Sequence, residues 1–291
     1  MPNLGYDVVD VFTDRPYAGN PLAVVHGAVD LSTRQMQQLA AEFGLSETVF
    51  PLPPTVAGVD YRLRIFTPAR ELPFAGHPSV GAAWVLARAG LIRTGNVVQE
   101  CGAGLLPVQV DAGGAQVGGG TPEIGPRLDG PGLAATVGLL AEDVDPAASA
   151  GVASAGVPYA FLAVRPDAVT RAELDAAAVR AATRDLNGLA VVAFDPSSWH
   201  AHMRIFAPGA GVAEDPATGS AAVALGVFLV DRGVLAADGQ TGFTVAQGAE
   251  MGRPSQLQVL VHAHAGAAVQ TSVRGGVAAV ARGELVALPP P

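Results

Sequence analysis

The chain contains no lysine; all 17 of its basic residues are arginine. Against 26 acidic residues they leave a net charge of −9 and no basic run. That balance argues against nucleic acid and anionic membrane as partners. The missing lysine accompanies an abundance of Ala and Gly and reads as a GC-rich coding bias rather than a functional signal. Cysteine is also nearly absent. The single Cys101 excludes an internal disulfide, fits a cytoplasmic protein, and reads as a small buried hydrophobe. Charged residues make up only 15% of the chain against 49% hydrophobic, which excludes a disordered chain and is ample for a core. The first residues, Met1 to Asp7, lack a basic region followed by an apolar run, so no signal peptide is expected. Outside the Gly/Ala-rich helical segments no uncharged apolar stretch reaches the length of a membrane span.

Several chemical signatures are missing as well. No Gly-x-Gly-x-x-Gly follows a strand and opens a helix, which argues against a dinucleotide site. Ser220, in Thr218-Gly219-Ser220-Ala221-Ala222, lacks the Gly-x-Ser-x-Gly elbow of a serine hydrolase. The pairs His200/His202 and His262/His264 each offer two imidazoles where zinc needs three or four ligands, so both read as structural or surface features.

What the chain does have is a repeat. Arg64-Ile65-Phe66-Thr67-Pro68 followed by Gly76-His77-Pro78-Ser79-Val80-Gly81-Ala82 is echoed by Arg204-Ile205-Phe206-Ala207-Pro208 followed by Glu214-Asp215-Pro216-Ala217-Thr218-Gly219-Ser220. Gly19-Asn20-Pro21-Leu22-Ala23-Val24 is likewise echoed by Gly156-Val157-Pro158-Tyr159-Ala160-Phe161. Each copy reads as an alternating strand, a loop, and a polar-Pro dipeptide opening an apolar helix, over about 78–89 and 217–230. Helices with no polar face are buried on all sides. The duplication predicts two similar domains, 1–119 (completed by 276–291) and 120–275, with Gly118-Gly119-Gly120-Thr121-Pro122 as the boundary.

Around the repeat, residues 6–12 and 22–25 read as a hairpin, and Ser32 with Gln35 as a capping box on a helix ended by Gly44. Residues 46–50 read as a strand broken by Pro51-Leu52-Pro53-Pro54. Strands with Gly turns are expected over 97–119, a helix over 170–182, a strand over 190–194, and a closing strand over 277–288.

The residues that unite chemistry with this pattern stand beside the two helix starts. Free amides and a positive dipole end there favour a carboxylate, and Gly81, Gly219 and Ser220 would let a ligand approach the first turns. His77 and Asp215 lie at matching positions. Both also have a plain reading as helix N-caps, for which Asp is well suited and His poorly. Glu47, in Leu45-Ser46-Glu47-Thr48-Val49-Phe50, is an acid in an apolar stretch. Desolvation there would raise its pKa and suit it to shuttle protons, although a solvated edge strand is the structural alternative.

Together these pieces resemble the PhzF family of phenazine-biosynthesis isomerases. The resemblance rests on Asp10-Val11-Phe12-Thr13, Gly19-Asn20-Pro21-Leu22-Ala23-Val24-Val25, Ser46-Glu47-Thr48-Val49-Phe50, Arg64-Ile65-Phe66-Thr67-Pro68, Pro73-Phe74-Ala75-Gly76-His77-Pro78 and Glu214 to Ala221, in order along most of the chain. It implies an α+β fold of two pseudo-symmetric diaminopimelate-epimerase-like domains, each a curved, mostly antiparallel sheet around a central apolar helix, with the active site in the cleft between them. It also implies Glu47, His77 and Asp215 as catalytic residues, with Glu47 as general acid/base. Ser46, Gly76, Gly219, Ser220 and Asn20 would bind a small carboxylate-bearing substrate. The resemblance further implies a cytoplasmic homodimer without cofactor or metal. Racemases of this fold use two cysteines; the lone Cys101 lies in neither motif, which excludes two-thiol chemistry. A catalytically silent small-molecule-binding or scaffolding protein of the same fold is the competing expectation.

Overall fold

The computed structural model describes residues 4–290. The chain divides into one unit of residues 1–118 and 274–291 and a second of 119–273.

The first unit opens with β1 (Leu4–Val11) and β2 (Asn20–Val25), which pair antiparallel. Helix α1 (Thr33–Phe43) carries the Ser32/Gln35 capping box and stops at Gly44, whose backbone is left-handed. Strands β3 (Glu47–Leu52), β4 (Tyr61–Phe66) and the short β5 (Glu71–Leu72) lead to helix α2 (Gly76–Arg88). Then come β6 (Gly95–Cys101), β7 (Gly104–Asp111) and β8 (Gly114–Gly118).

β2 pairs parallel with β3, β3 antiparallel with β4, β4 parallel with β6, and β6 to β8 form an antiparallel meander. The long last strand of the chain, described below, pairs with both β8 and β1. Eight strands thereby close into a barrel-like sheet around α2, which is buried along almost its whole length. Met36, Leu39 and Ala40 of α1 pack outside it on Leu4, Val25, Phe50 and Phe66.

The second unit begins with β9 (Pro122–Arg127), α3 (Gly130–Ala135), β10 (Ala150–Ala155) and β11 (Pro158–Ala163). It continues through α4 (Pro166–Arg171), α5 (Ala176–Ala182), β12 (Leu189–Asp195), β13 (His200–Ala207) and β14 (Val212–Asp215). Helix α6 (Gly219–Asp231), β15 (Gly239–Gln247), β16 (Ser255–His264) and β17 (Ala267–Leu285) complete the chain, β17 passing into the first unit at Arg274. The β9–β10 and β10–β11 pairs are antiparallel and β11–β12 is parallel. The β12–β13 pair is antiparallel, β13–β15 parallel and β15–β16 antiparallel. Helix α6, almost wholly buried, packs on β9, β10, β11 and β16. The fold is thus mixed α+β, with few helices.

Several sequence expectations need correction. The helix expected over 170–182 is two short helices, because Asp175 turns out as an N-cap, accepting from the amides of Ala177 and Ala178, while the amides of Glu173 and Asp175 bond Val137 and Thr136. Pro51 does not end its strand; β3 runs on to Leu52, with Pro51 opposite Leu63. Cys101 is half-buried at a hairpin end and directs its thiol to the Gly104 carbonyl. Gly81 does not make room for a ligand. A Cβ there would stand 2.5 Å from a Leu22 methyl and 2.8 Å from one of Val11, so its bareness lets α2 seat against the sheet. Gly226 does the same in α6, 2.4 Å from a Val261 methyl.

Candidate functional site

In the first unit the start of α2 meets the starts of β2 and β3. Asn20 opens β2 and is fully buried; Ser46, half-buried, precedes Glu47, the first residue of β3. Parallel pairing sets Glu47 opposite Leu22. Gly76 and His77 begin α2. His77 is therefore inside the first turn rather than capping it, and Ala75, the residue at the cap position, offers no side-chain bond. The imidazole hydrogen-bonds the Pro21 carbonyl, and its Nε2 lies 3.4 Å from Glu47 Oε2, close but without a hydrogen-bond partner. Burial pushes the His77 pKa down to about 3, overriding the opposite pull of the Pro21 carbonyl. Burial therefore favours the neutral form of the His77 imidazole. With one ring nitrogen committed to Pro21, the other presents to Glu47. Such pairs are commonly loose before a substrate arrives.

In the second unit Asp215 ends β14, opposite Ile205, four residues before the first residue of α6. It is not the N-cap; that position is Thr218, whose hydroxyl donates to Asp215 Oδ2 instead of capping the helix. Gly219 and Ser220 are the first residues of α6. Ser220 Oγ is 2.8 Å from the hydroxyl of Tyr159, which also accepts from Asn187 Nδ2 at 2.9 Å.

The repeated Arg-Ile-Phe is an anchoring device. Arg64 Nε and Nη2 each donate to Glu71 at 2.7 Å, and the guanidinium lies 5.1 Å from the Phe66 ring. Arg204 Nε and Nη2 donate to Glu214 at 2.8 and 2.9 Å, with the guanidinium 5.0 Å from the Phe206 ring. Arg204 Nη1 also bonds the Val169 and Ala172 carbonyls. Each fork ties the short strand that leads toward a helix start to the long strand beside it, and bidentate pairing sets its direction as well as its distance. Glu214 therefore fixes β14 one residue before Asp215.

Sequence reasoning overlooked these arginines as anchors, and it overlooked Tyr159, Asn187, Gln99 and Gln247. The two glutamines carried a signal: each occupies an inward position of an alternating strand, after Val97 and Val245. Among the described residues no group of three or more His, Cys, Asp or Glu side chains is arranged to hold a metal, and no helix is long and apolar enough to cross a membrane. His202 instead contacts Glu250 at 2.9 Å and His264 faces Asp238.

The family model for phenazine biosynthesis-like proteins, PhzC-PhzF, matches residues 9–283. An uncharacterized isomerase of Mesorhizobium japonicum is 34% identical, over 98% of this chain and 99% of its own length. The trans-2,3-dihydro-3-hydroxyanthranilate isomerase of Pseudomonas chlororaphis is 32% identical, over 97% and 99%. The crystal structure of the Bacillus anthracis phenazine biosynthesis protein of the PhzF family superposes with a TM-score of 0.89 at 26% identity, covering 99% of this chain and 100% of that one. A hydroxyproline epimerase from Agrobacterium vitis shares the fold, with a TM-score of 0.68 at 14% identity and 97% and 92% coverage. With a family model spanning nearly its whole length and isomerases among its full-length relatives, the chain belongs to the PhzC-PhzF family of phenazine biosynthesis-like proteins.

Proposed function

We propose that this isomerase moves a proton between two positions of a small carboxylate-bearing substrate, with Glu47 as general acid/base. The observation that carries the reading is the Glu47–His77 pair, 3.4 Å apart and largely withdrawn from water. With one ring nitrogen donating to Pro21, the neutral imidazole can accept a hydrogen bond from the protonated Glu47 carboxyl and orient it, so that Glu47 takes the proton from one substrate position and returns it to another while His77 stays neutral. Positioned acid–base transfer of this kind contributes about 10²- to 10⁴-fold in rate. Asp215 and Ser220 would orient the substrate and assist proton movement, and the Gly76 and Gly219 amides at the two helix starts would hold its carboxylate. Asn20 and Ser46 would complete the binding group.

In this reading 1–119 with 276–291, and 120–275, are two copies of one domain. The recurring fork, Arg64–Glu71 and Arg204–Glu214, supports the duplication. So does the recurring succession of strand pairings, parallel (β2–β3, β11–β12), antiparallel (β3–β4, β12–β13), parallel (β4–β6, β13–β15) and antiparallel (β6–β7, β15–β16). The working form would be a cytoplasmic homodimer, checked by light scattering.

The test is solvent deuterium incorporation. Wild type and Glu47→Gln are incubated in D2O with trans-2,3-dihydro-3-hydroxyanthranilate, the compound in the names of relatives, and with a panel of amino and hydroxy acids. Label entering one compound with wild type, and at least about 100-fold more slowly with Glu47→Gln, is the expected result. Equal labelling by both proteins sinks the role of Glu47. A ligand that binds and returns unlabelled points to a silent binding protein.

A further inference from the structure

We infer that Gln99 and Gln247 are positioning residues: each is a buried strand glutamine whose carboxamide holds, from beneath, the turn that carries a site residue into its helix. The geometry stands by itself, while its kinetic consequence rests on the isomerase reading.

Gln247, at the end of β15 and 1% exposed, uses every hydrogen-bonding group it has. Its Nε2 donates to the Asp215 carbonyl at 2.7 Å and to Thr218 Oγ1 at 3.1 Å, and its Oε1 accepts the Thr218 amide at 3.1 Å. Because an amide nitrogen can only donate, the Thr218 oxygen accepts from it, and the Thr218 hydroxyl proton goes to Asp215 Oδ2. The direction of the relay is settled by chemistry: Gln247 to Thr218 to the Asp215 carboxylate.

Gln99, in β6 and fully buried, occupies the corresponding place in the first unit. The Tyr61 hydroxyl donates to Gln99 Oε1 at 3.0 Å, Gln99 Nε2 donates to Ser79 Oγ at 3.0 Å, and Ser79 Oγ donates to the Ala75 carbonyl at 3.0 Å. Burial raises the Tyr61 pKa far above its ordinary value, so its proton stays in the relay. The chain ends on the peptide that precedes Gly76 and His77.

Neither helix start has a side-chain cap. Holding the turns from beneath fixes them while leaving the first-turn amides free for a substrate. A glutamine suits the task because it supplies two donors and an acceptor without a charge; a buried glutamate would lack the donors and bear a desolvation cost.

The experiment is hydrogen exchange by mass spectrometry on full-length wild type, Gln247→Met and Gln99→Met, with kcat and KM measured alongside on trans-2,3-dihydro-3-hydroxyanthranilate. Gln247→Met is expected to speed exchange at least about tenfold in peptides covering 212–222, and Gln99→Met in those covering 73–80, with the sheets unchanged. kcat is expected to fall about tenfold or more while KM stays within about threefold, and Gln247→Met is expected to add no further loss to Asp215→Asn. Unaltered exchange overturns the inference; so does acceleration spread through a whole unit, or local loosening with wild-type kcat. If Gln247→Met does not fold, Gln247→Glu keeps the side-chain shape and removes both donors, and wild-type exchange over 212–222 in that variant overturns the inference. If wild type turns over no compound, the isomerase reading fails, while the exchange pattern still decides whether the glutamines hold the turns.

Discussion

His77 Nε2 faces Glu47 Oε2 at 3.4 Å, in surroundings dry enough to push the imidazole down to about 3. Between that value and the ordinary 6.5 the unfolded chain binds a proton at His77 that the native chain does not. Native stability therefore rises with pH across this window and loses the dependence above it, with a slope from this group of at most about 1.4 kcal/mol per pH unit. In urea melts between pH 4 and 7, His77→Gln is expected to show a flatter dependence than wild type. Parallel curves would remove His77 as the cause.

The two arginine forks are alike in geometry and unlike in surroundings. Arg204 and Glu214 side chains are 10% and 16% exposed, whereas Glu71 opposite Arg64 is 39% exposed. Arg204→Met strips the donors from Glu214 and from two carbonyls and is expected to cost about 3–5 kcal/mol. Arg64→Met is expected to cost about 1 kcal/mol or less, since solvent can replace the lost partner. Denaturant unfolding of the two variants checks the contrast.

Gly81→Ala and Gly226→Ala each gain helix propensity, worth about 1 kcal/mol. Both are nonetheless expected to destabilise, by about 1–3 kcal/mol, because the added methyl meets Leu22 and Val11, or Val261, at 2.4–2.8 Å. Unchanged or raised melting temperatures would show that the sheet side chains facing these glycines yield.

Tyr159→Phe leaves the ring and removes the oxygen shared by Ser220 and Asn187. If Ser220 orients the substrate, KM is expected to rise about tenfold, with kcat much less affected, matching Ser220→Ala. A Tyr159→Phe enzyme with unchanged KM would detach Ser220 from substrate binding.

Local features of the fold were readable because their causes are local. Ser32, Gln35 and Gly44 bound α1 through contacts three or four residues apart, and the turn cluster at 14–21 returns β1 into β2. The helix expected over 170–182 failed for the opposite reason: Glu173 and Asp175 bond backbone at Val137 and Thr136, about 40 residues earlier in the chain. At the candidate site, the repeat singled out the Arg-Ile-Phe strands and both helix starts. It could not show that the arginines fork onto Glu71 and Glu214, or that Gln99 and Gln247 lie under the turns.

By itself the sequence determined what chemistry is available. With one cysteine and no lysine, it left carboxylates, imidazoles, hydroxyls and backbone amides near two apolar helices. Motif order and spacing placed the chain in its family. Tertiary structure alone decided the environment of each group. It made His77 neutral by burying it, gave the Thr218 hydroxyl to Asp215 rather than to the helix, and turned Gly81 toward the sheet. The physical reason is that burial, desolvation and hydrogen-bond direction depend on neighbours in space, many of them far apart along the chain.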